Sequence, residues 1–188
     1  MTLANLISLA RLALVPVILA ALMSSAYGLA LVLMLLAALS DAVDGHIART
    51  WGQETALGRH LDPLADKILL TALFVVLAVK GEVSQWLAAL VVGRDLVLVA
   101  GTVVATALGR PIAVRPLAIS KLATVMQMSL VLSVLAGLFL ERDMSDVVTV
   151  LVWTVAGLTG LSGALYTARW VGHMTTAKTM PPAGSEHF

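Results

Sequence analysis

The chain has 188 residues, of which 60% are hydrophobic and only 12% are charged, and its mean hydropathy is +0.98. Soluble domains carry about 25% charged residues, so this composition excludes an ordinary soluble domain and indicates a single integral membrane domain. The absence of cysteine excludes disulfides and thiol chemistry, and the net charge of +1 gives no indication of nucleic-acid binding.

Six apolar segments are long enough to cross a bilayer, which requires about 20 residues each. Short turns at 24–26, 80–82 and 141–146 and longer polar connections separate them. The sequence therefore predicts an all-α integral membrane protein with six transmembrane helices, at 3–23, 27–49, 58–79, 84–108, 117–140 and 147–168. Residues 1–171 form the predicted membrane domain, and the polar residues 172–188 a flexible tail.

Several polar side chains interrupt these apolar segments. Asn5, Ser8 and Arg11 recur at helical spacing in the first, which favours the bundle interior, although an interfacial turn explains them equally well. Arg94 and Asp95 lie inside the fourth segment. Adjacent helical residues point about 100° apart, so we expect them to pair poorly with each other and to find partners on other helices. The sixth segment carries three glycines that predict close packing against a neighbour, Gly157, Gly160 and Gly163.

Four carboxylates stand at the ends of the second and third segments. Asp41 and Asp44 are three residues apart, and Asp62 and Asp66 are four apart, so each pair shares one face of a helix. If the two helices meet, four acids converge, and a pair of divalent cations is the usual way to balance their charge. Ligands that are all oxygen favour Mg²⁺, Mn²⁺ or Ca²⁺ over zinc.

Small and basic residues surround these acids. Gly45 and Ala48 leave room for a base or a phosphate, Arg49 provides a planar fork for phosphate oxygens, and Gly58 permits close helix contact. The full pattern is Asp41-x-x-Asp44-Gly45-x-x-Ala48-Arg49, eight residues, then Gly58-x-x-x-Asp62-x-x-x-Asp66. This pattern resembles the signature of the CDP-alcohol phosphotransferase family, and all eight fixed positions match.

The resemblance implies a reaction in which an acceptor hydroxyl attacks the phosphorus of a CDP-linked lipid and CMP leaves. By position in the motif, Asp41, Asp44, Asp62 and Asp66 look like ligands of two divalent cations, Mg²⁺ or Mn²⁺, and Asp66 also resembles the general base. The implied contacts of CDP-diacylglycerol are Gly45, Ala48, Arg49 and Gly58, with Thr55, Asn5 and Ser8 as weaker members of the set. A homodimer is implied by analogy.

The acceptor depends on later segments. Ile119-Ser120-Lys121-x-x-Thr124-x-x-x-Gln127 is similar to the branch that forms cardiolipin and CMP, which favours phosphatidylglycerol as acceptor. Glycerol 3-phosphate is the alternative acceptor and would give phosphatidylglycerophosphate. Three cations would ring the same cavity and contact the acceptor phosphate, Arg94, Arg115 and Lys121. For Asp95, a structural ion pair within the bundle is as good an interpretation as a functional role.

Nine lysines and arginines fall on the side of the acids and two on the other side. The positive-inside rule therefore predicts that the acids and both termini face the cytoplasm, in the inner membrane of the cell.

Two other classes of protein also use clustered acids. A prenyltransferase is larger and lacks the Gly-x-x-Ala-Arg element, and a divalent-cation transporter would carry its acids near the bilayer midplane on broken helices.

Overall fold

The computed structural model describes residues 3–51, 58–107 and 118–176, and the side chains that it describes lie within 10–40, 67–107 and 118–172. Every regular element in those ranges is an α-helix. In chain order the helices are α1 (Leu3–Met23), α2 (Tyr27–Trp51), α3 (Gly58–Val79), α4 (Gln85–Ala107), α5 (Ala118–Leu140) and α6 (Ser145–Thr176). The predicted all-α fold is confirmed for the described residues.

The last helix is longer than predicted. The ends of α1 to α5 agree with the predicted segments to within two residues, but α6 begins at Ser145 and continues to Thr176, beyond the expected end at residue 168. Hydropathy marks the part of a helix that is apolar, whereas backbone hydrogen bonding continues through polar residues. The predicted boundary at 171/172 therefore falls inside a helix, and 177–188 of the predicted tail lie outside the described residues.

Three of the described helices are long and apolar enough to cross a membrane, as judged by length and composition. These stretches are Gln85–Val104, Ala118–Leu140 and Ser145–Trp170. Within the described part of α1, α2 and α3 the apolar stretches are shorter, at Leu12–Met23, Tyr27–Ser40 and Lys67–Val79. These three helices indicate a membrane protein, and the count of six spans stays a prediction.

Contacts between helices close a ring in the order α1, α2, α5, α6, α4 and α3, and α3 returns to α1. A further contact joins α3 to α5 across the ring. The bundle is therefore two groups of four helices that share α3 and α5. The first quartet is α1, α2, α5 and α3, and the second quartet is α3, α4, α6 and α5.

The apolar core lies at the end of the bundle that holds the three short turns. It contains the fully buried side chains of Ile18, Leu22, Met34, Phe74 and Leu135, among others. Toward the other end, where α2 carries its acids, the second quartet buries four polar side chains among its apolar ones: Arg94, Gln127, Thr159 and Ser162. Polar groups thus enter the interior toward that end of the bundle.

The three short turns share one geometry. Gly81, with φ +79°, follows α3, its N–H donates to Ala78 O, and the N–H of Glu82 donates to Leu77 O at 2.9 Å. This is the Schellman arrangement, which satisfies the last carbonyls of a helix. Ser25 (φ 61°) and Glu141 (φ 51°) occupy the equivalent left-handed position after α1 and α5. The turns predicted from sequence are confirmed, although two of them use a residue other than glycine.

The prediction of close packing at the α6 glycines is wrong for two of the three. Among the described residues, a Cβ added at Gly157 or Gly160 would meet nothing within 4 Å, whereas one at Gly163 would lie 3.6 Å from Arg94 Cγ. A closer approach occurs at Gly28 in α2, where a Cβ would lie 2.5 Å from Phe139 Cε2. Small residues in a membrane helix permit close contact, and the positions of neighbouring helices decide which of them are used.

Candidate active site

Both acid pairs lie on helical backbone, which confirms the helical spacing on which their interpretation depends. Asp41 and Asp44 belong to the last turns of α2, and Asp62 and Asp66 to the first turns of α3. Their side chains lie outside those that the structure describes. Between the described residues α2 and α3 make no direct contact, and both pack against α1 and α5. Convergence of the four carboxylates therefore stays a prediction.

Most of the predicted substrate-binding residues also lie outside the described side chains. Asn5 and Ser8 are on α1, Gly45, Ala48 and Arg49 are on α2, and Gly58 begins α3. Thr55 and Arg115 fall in the two connections outside the described residues. The structure thus places six of these residues on the helices of the first quartet without showing their contacts.

Arg94 is the most connected side chain of the described site. Its side chain is only 6% exposed, and its Nη1 donates to Asp95 Oδ1 at 2.7 Å. Its Nη2 donates to Ser162 Oγ on α6 at 3.0 Å and to Ser120 Oγ on α5. The Nε of Arg94 is buried and has no hydrogen-bond partner among the described residues. One guanidinium therefore links α4, α5 and α6.

The expectation that Arg94 and Asp95 pair poorly is wrong, because they form a direct salt bridge. The arginine side chain is long enough to fold back across the 100° that separates adjacent helical positions. The second part of that expectation is confirmed, since both residues also have partners on other helices. The structural ion pair that was the alternative interpretation of Asp95 is what the structure contains.

Asp95 joins this cluster to α3. Its Oδ1 lies 3.2 Å from Lys67 Nζ, and its Oδ2 accepts a hydrogen bond from Thr71 Oγ1 at 3.4 Å. Lys67 and Thr71 are four residues apart on one face of α3, and Lys67 directly follows Asp66. The Asp95 side chain is 14% exposed and that of Lys67 is 33% exposed. The ion pair thus lies beside the turn that carries the second acid pair.

The sequence did not predict the buried hydroxyl side chains of α6 that complete the second quartet, nor the partner of Gln127 among them. Gln127 Nε2 on α5 donates to Thr159 Oγ1 on α6 at 3.1 Å, and both side chains are buried. Thr159 and Ser162 are three residues apart, so they share the face of α6 that turns inward. Their spacing on an apolar helix is the signal that could have found them, because buried hydroxyls in a membrane helix usually have partners.

Lys121, the third predicted acceptor contact, is exposed at the first turns of α5. It directly follows Ser120, which accepts a hydrogen bond from Arg94. Arg94 thus contacts the position of α5 that precedes Lys121, and the shared cavity of these two cations stays a prediction. Arg115 lies outside the described residues.

The donor set agrees with a hard divalent cation. Four carboxylates on two helix ends provide oxygen ligands alone, which suits Mg²⁺ or Mn²⁺. Among the described side chains, no group of three histidines, cysteines or acids could hold a metal ion. The acids of α2 and α3 stay the predicted ligands of the cations, and the cations would supply charge neutralisation at a diphosphate.

The fold and the arrangement of polar groups define a helical membrane protein with a charged interior at one end of its bundle. The family model described as CDP-alcohol phosphatidyltransferase matches residues 1–176. The chain belongs to the CDP-alcohol phosphatidyltransferase family, whose members act in phospholipid biosynthesis and are known to use divalent cations.

Similar curated proteins carry two different names. The chain is 36% identical over 177 residues to the chloroplastic CDP-diacylglycerol–glycerol-3-phosphate 3-phosphatidyltransferase 1 of Oryza sativa, covering 85% of this chain and 54% of that protein. It is 39% identical over 100 residues to the CMP-forming cardiolipin synthase of Rattus norvegicus, covering 53% of this chain and 33% of that protein.

A third relative is bacterial. The chain is 40% identical over 103 residues to the CDP-diacylglycerol–glycerol-3-phosphate 3-phosphatidyltransferase of Aquifex aeolicus, covering 54% of this chain and 58% of that protein. The aligned region spans between one third and about three fifths of these relatives. Their names support the family and leave two acceptors open.

Proposed function

We propose that this protein transfers the phosphatidyl group of CDP-diacylglycerol to an acceptor hydroxyl and releases CMP. The observation that carries the proposal is the signature of eight fixed positions, which lies on the helical ends of α2 and α3 in a chain of this family. The acceptor O–H gives its proton to a base, its oxygen bonds to the lipid phosphorus, and the bond from that phosphorus to the CMP oxygen breaks.

Each residue of the signature has a role in this proposal. Asp41, Asp44 and Asp62 hold divalent cations, and Asp66 shares in this and takes the acceptor proton. Two cations, Mg²⁺ or Mn²⁺, supply charge neutralisation of the diphosphate and of the departing CMP. Arg49 binds diphosphate oxygens, because its planar fork donates two parallel hydrogen bonds. The small residues Gly45 and Ala48 admit the cytidine.

We propose phosphatidylglycerol as the acceptor, which makes cardiolipin the product. Two observations support it over glycerol 3-phosphate. The guanidinium of Arg94 is already bonded to Asp95 and two serines, which leaves fewer free cations for a doubly charged phosphate. The half of α4 after Asp95 is also apolar and exposed, at Leu96, Val97 and Val103, which suits a lipid that enters sideways.

An acceptor panel tests this proposal. Purified protein is incubated with CDP-diacylglycerol, Mn²⁺ or Mg²⁺, and either phosphatidylglycerol or glycerol 3-phosphate, and lipid products are identified by mass. The expected result is CMP release with cardiolipin as product, and a strongly reduced rate for Asp66→Asn in the same preparation. Phosphatidylglycerophosphate without cardiolipin would contradict the acceptor and keep the reaction class. No CMP with any acceptor would contradict both.

We also propose that six helices span the membrane, with both termini and the acids at the cytoplasmic face of the inner membrane. The uneven distribution of lysine and arginine supports this orientation. A nucleotide-linked substrate is present on that side. The homodimer implied by the family resemblance remains a proposal as well.

Single cysteines test the orientation, because the chain has none of its own. Gly172→Cys is near the end of α6, where an added Cβ meets no described atom within 4 Å, and Ser145→Cys is exposed at the start of α6. A maleimide that cannot cross membranes is expected to label Ser145→Cys in intact cells and Gly172→Cys only after access to the cytoplasm. The opposite pattern would overturn the orientation, and CMP release verifies that both variants are folded.

A further inference from the structure

A single carboxylate connects the turn of α3 that carries Asp66 to the rest of the second quartet. We define the Asp95 cluster as six side chains: Lys67, Thr71, Arg94, Asp95, Ser120 and Ser162. Asp95 receives the contacts from α3, and Arg94 passes them on to α5 and α6. The cluster therefore contacts all four helices of the second quartet, and Asp95 is its only anion among the described side chains.

The charges of the cluster make Asp95 indispensable to its geometry. Two cations, Lys67 and Arg94, share the one carboxylate at 3.2 Å and 2.7 Å. If the carboxylate is neutralised, two like charges remain near each other, and a buried guanidinium loses its counter-ion. A buried charge without a partner is unfavourable, so the arginine and the lysine must move apart. Both helices that carry them would then shift or rotate.

The position of the cluster relates this geometry to the reaction. Lys67 follows Asp66, the proposed base, and Ser120 precedes Lys121, which the sequence predicts to contact the acceptor. The cluster thus spans the separation between the turn of α3 that carries the proposed base and the turn of α5 that carries Lys121. Because a misplacement of about 1 Å can reduce a rate by about 10²-fold, this separation matters for turnover.

We propose that Asp95 is a positioning residue for phosphatidyl transfer, which holds the Asp66 turn of α3 in register with the acceptor-binding turn of α5. This inference rests on the proposed function. Asp95 contacts Lys67, Thr71 and Arg94, and it acts through them rather than on the substrate. The ion pair of α4 would thus have a role in catalysis as well as in structure.

Three matched variants test the role: Asp95→Asn, Asp95→Glu and, as control, Asp146→Asn, an exposed acid at the other end of the bundle. The expected kcat of Asp95→Asn is lower by about 10²-fold, with the KM for CDP-diacylglycerol changed by no more than about threefold. Asp95→Glu keeps the charge and is expected to recover at least about tenfold of that loss. The control is expected to retain its kcat.

A second arm asks whether Asp95 acts through its α3 partner. If it does, Lys67→Met and Asp95→Asn together lower kcat by less than the product of their separate effects, because both remove one interaction. Where Asp95→Asn does not purify as folded protein, Ser162→Ala replaces it. This variant removes one hydrogen bond to Arg94 and is expected to lower kcat severalfold without a change in KM.

Several results would overturn the inference. These are a kcat of Asp95→Asn equal to that of the control, a loss that appears only in KM, a glutamate variant as impaired as the asparagine variant, or multiplicative effects with Lys67→Met. In the substitute arm, an unchanged kcat of Ser162→Ala does the same. These results are distinct from a failure of the proposed function, because in that case the unsubstituted protein already releases no CMP.

Discussion

Asp66→Asn is expected to lower the rate of CMP release by about 10²- to 10⁴-fold, which is the usual contribution of a general base. Asparagine has nearly the same size and shape as aspartate, and its oxygen can still accept a hydrogen bond, but it cannot take a proton from the acceptor hydroxyl. Since Asp66 lies on the helical backbone of α3, the substitution leaves the helix intact. Binding of CDP-diacylglycerol is expected to remain.

Two comparisons make this prediction specific. Asp62→Asn, one turn earlier on α3, removes a proposed metal ligand without removing the base, so it is expected to raise the Mn²⁺ concentration needed for activity. Asp146→Asn changes an exposed acid at the start of α6 and is expected to have no effect. Rates are measured by CMP release, and lipid binding by retention on labelled CDP-diacylglycerol vesicles. Near-normal turnover of Asp66→Asn would leave the residue with a structural role.

Removal of divalent cations is expected to abolish activity completely. Two carboxylates about 5 Å apart repel each other by about 3 kcal/mol at an effective dielectric constant near 20, and four of them repel more. The acids of α2 and α3 therefore require counter-charge, and a diphosphate substrate adds to that requirement. Excess chelator is expected to stop CMP release, and Mg²⁺ or Mn²⁺ added beyond the chelator is expected to restore it.

The control for chelation is a measurement of helix content, which reports whether the protein stays folded. Circular dichroism of the protein with chelator is expected to show unchanged helix content, because the described apolar core lies at the opposite end of the bundle. Zn²⁺ is expected to restore activity poorly, since oxygen ligands alone do not select it. Full turnover in excess chelator would refute the assignment of Asp41, Asp44, Asp62 and Asp66 as metal ligands.

Local patterns predicted most of the helices. Ser24 to Ala26 and Lys80 to Glu82 interrupt apolar runs with residues that turn, so the ends of α1 and α3 could be placed from sequence. The end of α6 could not, because Arg169 and the polar residues after it read as a departure from the membrane although the helix continues to Thr176. Hydropathy indicates which part of a helix is apolar, whereas backbone hydrogen bonding determines where the helix ends.

The candidate site also contains one part that the sequence predicted and one part that it did not. The acid pairs of α2 and α3 were found because helical spacing and the motif lie within 26 residues of sequence. The contacts of Arg94 with Ser120 and Ser162 join positions 26 and 68 residues apart, and no local pattern encodes them. Burial of a charge predicted that partners exist, and the packing of four helices determined which residues they are.

The shared turn geometry after α1, α3 and α5 also bears on how the chain assembles. Each turn satisfies its last carbonyls with donors only a few residues away, and each joins two helices that contact each other: α1 with α2, α3 with α4, and α5 with α6. The molecule is thus three helical hairpins whose internal contacts close over short sequence distances and cost little loop entropy. During synthesis each hairpin can be complete before the next one emerges, and the Asp95 cluster, which requires α6, can form only when the third hairpin docks.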